Sequence, residues 1–386
     1  MLFSTTLLAS FLALVSAAPS HPKALTFPIT RHHRDSKFAE QHLGHLEARQ
    51  TPVTIANQQY YYSIAVGLGT PVQQFNLLLD TGSSDLWVYN ITDTTDCGNN
   101  ACQFTGQYNS DASSSYNFLS DDYFIQYVSG NASGNWGTET LSVGSISLPN
   151  FQFAVADNAQ GNTGVLGVSV EGSESLAQDQ SPYPNFPVAL QNAGYIDRQV
   201  YSLYLDDAQS STGTFLLGGI DHAKFSGSLT VLPLTSFNAL QVAFNSISYN
   251  GEDLGGNDVA VLDSGTSYTY IPDNDYQVLA KKLKLGAIDR NSGLADIDCN
   301  ADVSVDFNFE GVTITAKKEQ LIVNFGDGTC GFGIASNNGS AGFNLFGDTF
   351  LRNAYVAYDL QDSQIGLAQA VYTTETNIQP VSAPLQ

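Results

Sequence analysis

The sequence predicts an all-β protein, mainly strands with a few short helices, built as two similar lobes around a central cleft. Three observations carry that prediction. Of 386 residues, 42% are apolar and only 13% charged, with 34 Gly, 22 Phe and 19 Tyr; a glycine-punctuated, aromatic-rich chain favours pleated sheet, and its apolar share is too high for disorder. Runs such as VTIANQQYYYSIAVGLG, QQFNLLLDTG, LSVGSISL and SVDFNFEGVTITA alternate or run apolar between Gly, Pro, Asn and Asp turns, which is strand patterning. The chain also repeats itself. Leu77-Leu78-Leu79-Asp80-Thr81-Gly82-Ser83-Ser84 is followed by Val165-Leu166-Gly167, and Ala260-Val261-Leu262-Asp263-Ser264-Gly265-Thr266-Ser267 by Leu345-Phe346-Gly347. The interval from Asp to that Gly is 87 residues in the first half and 84 in the second. Two lobes of one design follow, spanning 50–219 and 220–386 with a boundary near Gly218-Gly219. Ligand sites gather between such units, so each lobe is expected to supply one carboxyl to a shared cleft.

Two helices are expected. One has Asp273 as N-cap and carries Tyr276, Leu279, Ala280 and Leu283 on one face; the other runs from about Phe186 to Ala193 and is stopped by Gly194.

The N-terminus reads as processing signals. MLFSTTLLASFLALVSAAPS is an apolar run of signal-peptide length ending in the small-x-small pattern Val15-Ser16-Ala17, so 1–17 is read as a signal peptide and the protein as secreted and extracellular. Residues 18–49 hold five of the six histidines and five of the 14 Lys and Arg residues, against three acids. From Gln50 onward nine basic residues face 34 acidic ones, a formal charge of −25. A basic cap on an acidic body reads as a propeptide removed near Arg49, held by charge pairs that acid would dissolve by protonating the body's carboxylates. The histidines of this segment are expected to stay cationic throughout, leaving the release to the acidic side.

The overall charge of −23 repels nucleic acid and anionic membranes and suits an acidic medium, where a lysine-poor surface avoids positive self-repulsion. No later stretch of 18 apolar residues exists and the C-terminal tail is polar, so no membrane span is expected. Four cysteines with no CxxC pair fit an oxidising compartment rather than zinc. Three pairings are open; proximity favours Cys97–Cys102 and Cys299–Cys330. Asn90, Asn131 and Asn338 begin sequons and are glycan candidates.

The chemistry lies in the duplicated motif. An Asp-Ser/Thr-Gly triplet should occur by chance about 0.4 times in a chain of this composition, so one copy would mean little. Here two copies sit in matching halves, each after three apolar residues and before two hydroxyl residues. An apolar strand ending in Asp buries a carboxyl at the floor of a cleft, and Gly two positions on lets the backbone turn and come close to a ligand. Two such carboxyls brought together cannot both ionise readily; they share a proton and serve as general base and general acid for an attacking water. Asp80 and Asp263 are therefore the candidate catalytic pair. Asp85, Asp121, Asp122, Asp206 and Asp207 sit in turn-like contexts and read as solvated surface. His222 is the single histidine after residue 49, and no nucleophile motif accompanies it.

Residues 58–90 and 258–276, the two hydrophobic-Gly motifs, the cysteine spacing and the closing GDTFLRNAYVAYDLQDSQIGLA together resemble the pepsin family of aspartic endopeptidases over nearly the whole chain after the prosegment. DTGSSDLWV and two disulfides in place of three make the resemblance nearest to secreted yeast and filamentous-fungal members of the candidapepsin and saccharopepsin kind. The resemblance implies a bilobal acid-protease fold with pseudo-twofold-related lobes, and hydrolysis of peptide bonds in protein substrates at acid pH by a zymogen-derived enzyme. It implies inhibition by its own propeptide and by statine-type mimics; no cofactor or metal is expected, and a monomer is the default. Carried to this chain, it makes Asp80 and Asp263 catalytic, with Thr81 and Ser264 in a lattice beneath them and Ser83 and Thr266 bonded to the outer carboxylate oxygens. Gly82, Gly265 and Ser267 meet substrate backbone, and Trp87 braces the flap tyrosine, Tyr127. The flap departs from the family: Tyr127 is followed by Val128 where a glycine is usual. A non-catalytic binding relative would show a damaged Asp, Gly or flap Tyr, and this chain shows none. A two-carboxylate glycosidase is disfavoured by the duplicated turns and by having only two Trp for sugar stacking.

Overall fold

A computed structural model describes residues 23–33, 60–93, 102, 105–128, 130–160, 163–176, 181–290 and 292–386. The signal-peptide reading, the Arg49 processing site and Cys97 lie outside the described residues. The fold is mostly β and bilobal, as the sequence predicts. A large sheet runs through the molecule. From one end its order is Thr230–Pro233, Gln364–Gln369, Ala354–Asp359, Val200–Tyr204, Thr212–Leu217, Leu25–His33, Tyr60–Leu68, Gln73–Asp80, Val165–Gly167, Leu86–Asn90, Ile146–Ala159, Gly130–Val143 and Asn117–Tyr127. The first three strands come from beyond Gly219 and the others from before it, so the sheet ties the two lobes together through backbone hydrogen bonds.

The strands that lead to the two Asp residues show why the sequence folds this way. Gln73–Asp80 is buried on one face through Phe75, Leu77 and Leu79, and Leu78 is also covered, so the strand is enclosed on both faces where it reaches Asp80. Fully burying a Leu side chain contributes about 2 kcal/mol, and this run fixes the strand end in place. Its last residues pair in parallel with Val165–Gly167, which pairs antiparallel with Leu86–Asn90. The second lobe repeats the crossing: Asp258–Leu262 runs parallel to Leu345–Phe346, which is antiparallel to Thr269–Ile271. The glycines of the two hydrophobic-Gly motifs stand where backbones cross. A Cβ on Gly167 would lie 2.7 Å from Ser83 O and Asp85 N, and one on Gly347 would lie 2.3 Å from the carbonyls of Thr266 and Tyr268.

The helices differ slightly from the sequence reading. Phe186–Asn192 ends at Ala193, with Gly194 at φ 76° just beyond. The second helix is Asp273–Leu283, and its N-cap is Pro272 rather than Asp273. Asp273 is instead the first helical residue; its Oδ1 accepts from Ser336 Oγ (2.7 Å) and Gln277 Nε2 (3.2 Å), which draws it into the helix. Among the described residues no helix is long and apolar enough to cross a membrane.

Cys299 and Cys330 form a disulfide with Cα atoms 5.3 Å apart. It closes a loop of 31 residues, which stabilises the second lobe by about 3 kcal/mol. Cys102 is also disulfide-bonded.

Candidate active site

The two Asp-Ser/Thr-Gly turns meet at the lobe interface and mirror each other atom for atom. Gly82 N donates to Asp80 Oδ1 and Gly265 N to Asp263 Oδ1, both at 2.8 Å. Ser83 Oγ donates to Asp80 Oδ2 and Thr266 Oγ1 to Asp263 Oδ2, both at 2.5 Å. Each outer oxygen is thus held by a hydroxyl, and the inner oxygens face the partner loop. A Cβ on Gly265 would stand 2.3 Å from Asp80 Oδ1, and a Cβ on Gly82 would stand 2.7 Å from Asp263 Oδ1. The glycines are what let the two carboxyls approach.

Beneath them the lobes are stitched by a reciprocal lattice. Thr81 Oγ1 donates to Leu262 O (2.8 Å) and accepts from Ser264 N (2.9 Å); Ser264 Oγ donates to Leu79 O (2.8 Å) and accepts from Thr81 N (3.2 Å). Thr81 and Ser264 are buried at 0% and 1% exposure, so every one of these bonds is made away from water.

Asp80 is 5% exposed and Asp263 8%. Burial and then the charge of Asp263 push the Asp80 carboxyl well above its ordinary range, against the opposing bonds from Ser83 and Gly82. A pair so placed retains one proton where isolated carboxylates are ionised.

The hairpin of Asn117–Tyr127 and Gly130–Val143 carries Tyr127 beside Asp80. Trp87 Nε1 donates to the Tyr127 hydroxyl at 2.9 Å. Burial, and next the Asp80 charge, hold the Tyr127 pKa well up, so that hydroxyl keeps its proton. Val128, at the tip, is 41% exposed. Ser267 is 3% exposed and borders a cavity of about 240 Å³ that it shares with Arg31, Tyr268, Thr349 and Arg352. Among the described residues no three His, Cys, Asp or Glu side chains are grouped to ligate a metal.

The sequon asparagines are placed differently. Asn90 is half-buried with its Nδ2 donating to Asp157 Oδ1 at 2.7 Å, Asn131 pairs with Gln126 in the flap hairpin, and Asn338 is exposed in a short 3-10 turn.

One reading of the acidic residues is overturned. Asp121 and Asp122 are exposed, and Asp206 and Asp207 are half-buried in a turn, but Asp85 is 0% exposed. Its carboxyl accepts from Tyr183 Oη (2.7 Å) and Ser175 N (3.0 Å). The Ser-Ser-Asp context resembles a surface turn locally; only the crossing of 168–176 over 80–85 encloses it.

The sequence pattern of the family described as Eukaryotic aspartyl protease matches residues 60–370. Candidapepsin-3 of Candida albicans (strain WO-1) is 33% identical over 368 residues, covering 92% of each chain. Secreted aspartic protease 8 of Candida albicans is 35% identical over 84% of this chain and 80% of its own. In fold, the crystal structure of an aspartic proteinase from Irpex lacteus superposes with a TM-score of 0.71 at 22% identity, covering 91% of this chain and 98% of the other.

Proposed function

Since the chain belongs to the eukaryotic aspartyl protease family, the pepsin family, and is a peptide hydrolase of that class, we propose that Asp80 and Asp263 are its catalytic dyad and that it is exported as a zymogen. The observation that supports the dyad is the mirrored pair of carboxyls, each pinned at both oxygens by its own turn and each facing the other loop's glycine. The ionised member takes a proton from a water held between them, and the water oxygen bonds to the scissile carbonyl carbon. The protonated member donates to the carbonyl oxygen as it gains charge. The tetrahedral species then collapses: the C–N bond breaks, the amine leaves with the proton taken from the water, and the oxygen that received a proton returns it to the dyad as the carbonyl re-forms. Tyr127 closes over the substrate and excludes water.

The zymogen reading rests on the strand Leu25–His33. It lies between Thr212–Leu217 and Tyr60–Leu68 in the sheet that joins the lobes, with Lys23 Nζ 2.9 Å from Asp197 Oδ1 and Arg31 donating to Ala208 O. Lys23 and Arg31 thus attach the segment to the acidic body. His32 adds to it, contrary to the expectation that these histidines stay cationic. Its Nε2 is 2.7 Å from Ser63 Oγ, its ring stacks on Tyr61, and burial lowers its pKa. A base whose pKa is lowered when docked favours docking above its ordinary value, near 6.5, and that contribution is lost as pH falls below this and through the lowered docked value.

Export follows the N-terminal apolar run and the secreted relatives. The test is to acidify the purified proprotein and follow cleavage of a denatured protein, with Asp80→Asn, Asp263→Asn and a statine-type mimic as controls. Either substitution is expected to lower kcat by about 10³-fold or more. Wild-type cleavage that survives both substitutions and the mimic would exclude the dyad; an inactive wild type would favour a binding protein.

A further inference from the structure

The flap hairpin closes on a turn that its own sequence does not favour. Its strands end at Tyr127 and begin again at Gly130, which face each other in register, so two residues join them and Val128 is the first. The turns that suit a two-residue hairpin, types I′ and II′, both set a positive φ at that first position and match the right-handed twist of the strands. A β-branched residue is strained there. Among the described residues the non-glycine positions with positive φ do not include Val128. The hairpin therefore lacks the turn that would hold its strand ends together.

Gln126 supplies the missing tie. Its Nε2 donates to Tyr127 O and to Gly130 O, both at 2.8 Å, and so spans the mouth of the turn. Two carbonyl oxygens call for a group with two N–H donors and no lone pair in their direction, which is what a primary amide presents. Each side that it joins is anchored elsewhere. Tyr127 is held at its hydroxyl by Trp87 Nε1 (2.9 Å), beside Asp80. Gly130 lies so close to Gln160 that a Cβ would stand 2.7 Å from its carbonyl oxygen, and Gln160 N donates to Asn131 O at 2.7 Å. Gln126 is itself exposed, so removing its side chain opens no cavity.

We propose that Gln126 is a positioning residue for the flap: its amide locks the strand ends on either side of Val128 and keeps Tyr127 beside Asp80 before substrate arrives. The proposal rests on the reading of Tyr127 as the residue that closes on the substrate. A flap already ordered binds substrate without first losing conformational freedom, whereas a flap ordered only a fraction of the time binds more weakly by that fraction. The cost of losing Gln126 therefore falls on KM and spares kcat, which is read in the closed complex. Val128 makes the amide necessary. With glycine in its place the chain can adopt a primed turn and hold its own ends together.

The experiment measures kcat, KM and the unfolding midpoint at acid pH for the wild type, Gln126→Ala, Gln126→Met, Val128→Gly and the double variant of Gln126→Ala with Val128→Gly, with Asp80→Asn as the inactive reference. Gln126→Ala loses two hydrogen bonds and should raise KM about tenfold, with kcat within about twofold and the midpoint unmoved. Gln126→Met keeps the length of the side chain without its donors and should match Gln126→Ala. Val128→Gly alone should leave KM within about twofold, and in the double variant it should bring KM back to within about threefold of the wild type. Hydrogen exchange of the peptide spanning 124–133 needs no turnover: it should quicken about tenfold in Gln126→Ala and slow again in the double variant. The proposal is overturned if Gln126→Ala or Gln126→Met keeps the wild-type KM and exchange rate, if the loss appears in kcat or the unfolding midpoint instead of KM, or if the double variant is no better than Gln126→Ala. A wild type no more active than Asp80→Asn would refute the dyad reading, and the exchange rates would still decide for or against Gln126.

Discussion

The turn after Asp80 and the turn after Asp263 share their geometry for four residues and then part. Asp80-Thr81-Gly82-Ser83 and Asp263-Ser264-Gly265-Thr266 match bond for bond, from the backbone N–H on the inner oxygen to the hydroxyl on the outer one. At the fifth position after the acid the first loop has Asp85 and the second Tyr268; at the seventh, Trp87 stands opposite Tyr270. Tyr268 and Tyr270 are buried in an apolar cluster of the second lobe, whereas Asp85 accepts from Tyr183 and Trp87 donates to Tyr127 of the Asn117–Val143 hairpin. The shared part positions two carboxyls alike; the divergent part bonds only the first loop to the Tyr127 hairpin. A symmetric pair needs this asymmetry, since a substrate has one carbonyl and enters from one side.

The symmetric part breaks most severely at its glycines. Gly265→Ala drives a Cβ into Asp80 Oδ1 at 2.3 Å, and Gly82→Ala approaches Asp263 Oδ1 at 2.7 Å. Displacing either carboxyl by a fraction of an ångström should lower kcat/KM by about 10²-fold, more for Gly265→Ala than for Gly82→Ala. Steady-state kinetics of the two purified variants measure the order.

The lattice is the next test. Thr81→Ala and Ser264→Ala each leave buried backbone groups without partners and should each cost about 2 kcal/mol of stability. The two losses should be nearly equal, and the double variant should lose less than their sum because the bonds are shared. Denaturant unfolding of the three variants checks this; strongly unequal losses would mean that the lobes do not contribute alike.

Trp87→Phe probes the asymmetric part. It keeps an aromatic ring in the cluster and deletes the N–H that holds Tyr127, so kcat/KM should fall about tenfold while the unfolding midpoint moves little. A drop in stability with unchanged kinetics would make Trp87 a packing residue.

Much of this was legible from residues alone. The strand ends, the paired acids and their hydroxyl partners follow from a motif that occurs twice, because an apolar run ending in Asp-x-Gly specifies a buried carboxyl on a tight turn wherever it occurs. The Asp273 helix was legible to within one residue, the usual ambiguity when an acid in the first turn can also serve as cap. Asp85 and His32 were not legible. Each has a local sequence typical of solvent, and each is covered by chain far from it: Asp85 by residues 175 and 183, His32 by Tyr61 and Ser63.

By itself, then, the sequence determined which two acids end matching apolar strands on matching turns, since periodicity and turn type are properties of neighbours along the chain. Only the tertiary structure decided how those groups ionise and what covers them. Burial and charge proximity depend on which distant segments come together, and these two quantities set the proton affinity of Asp80, Asp85 and His32.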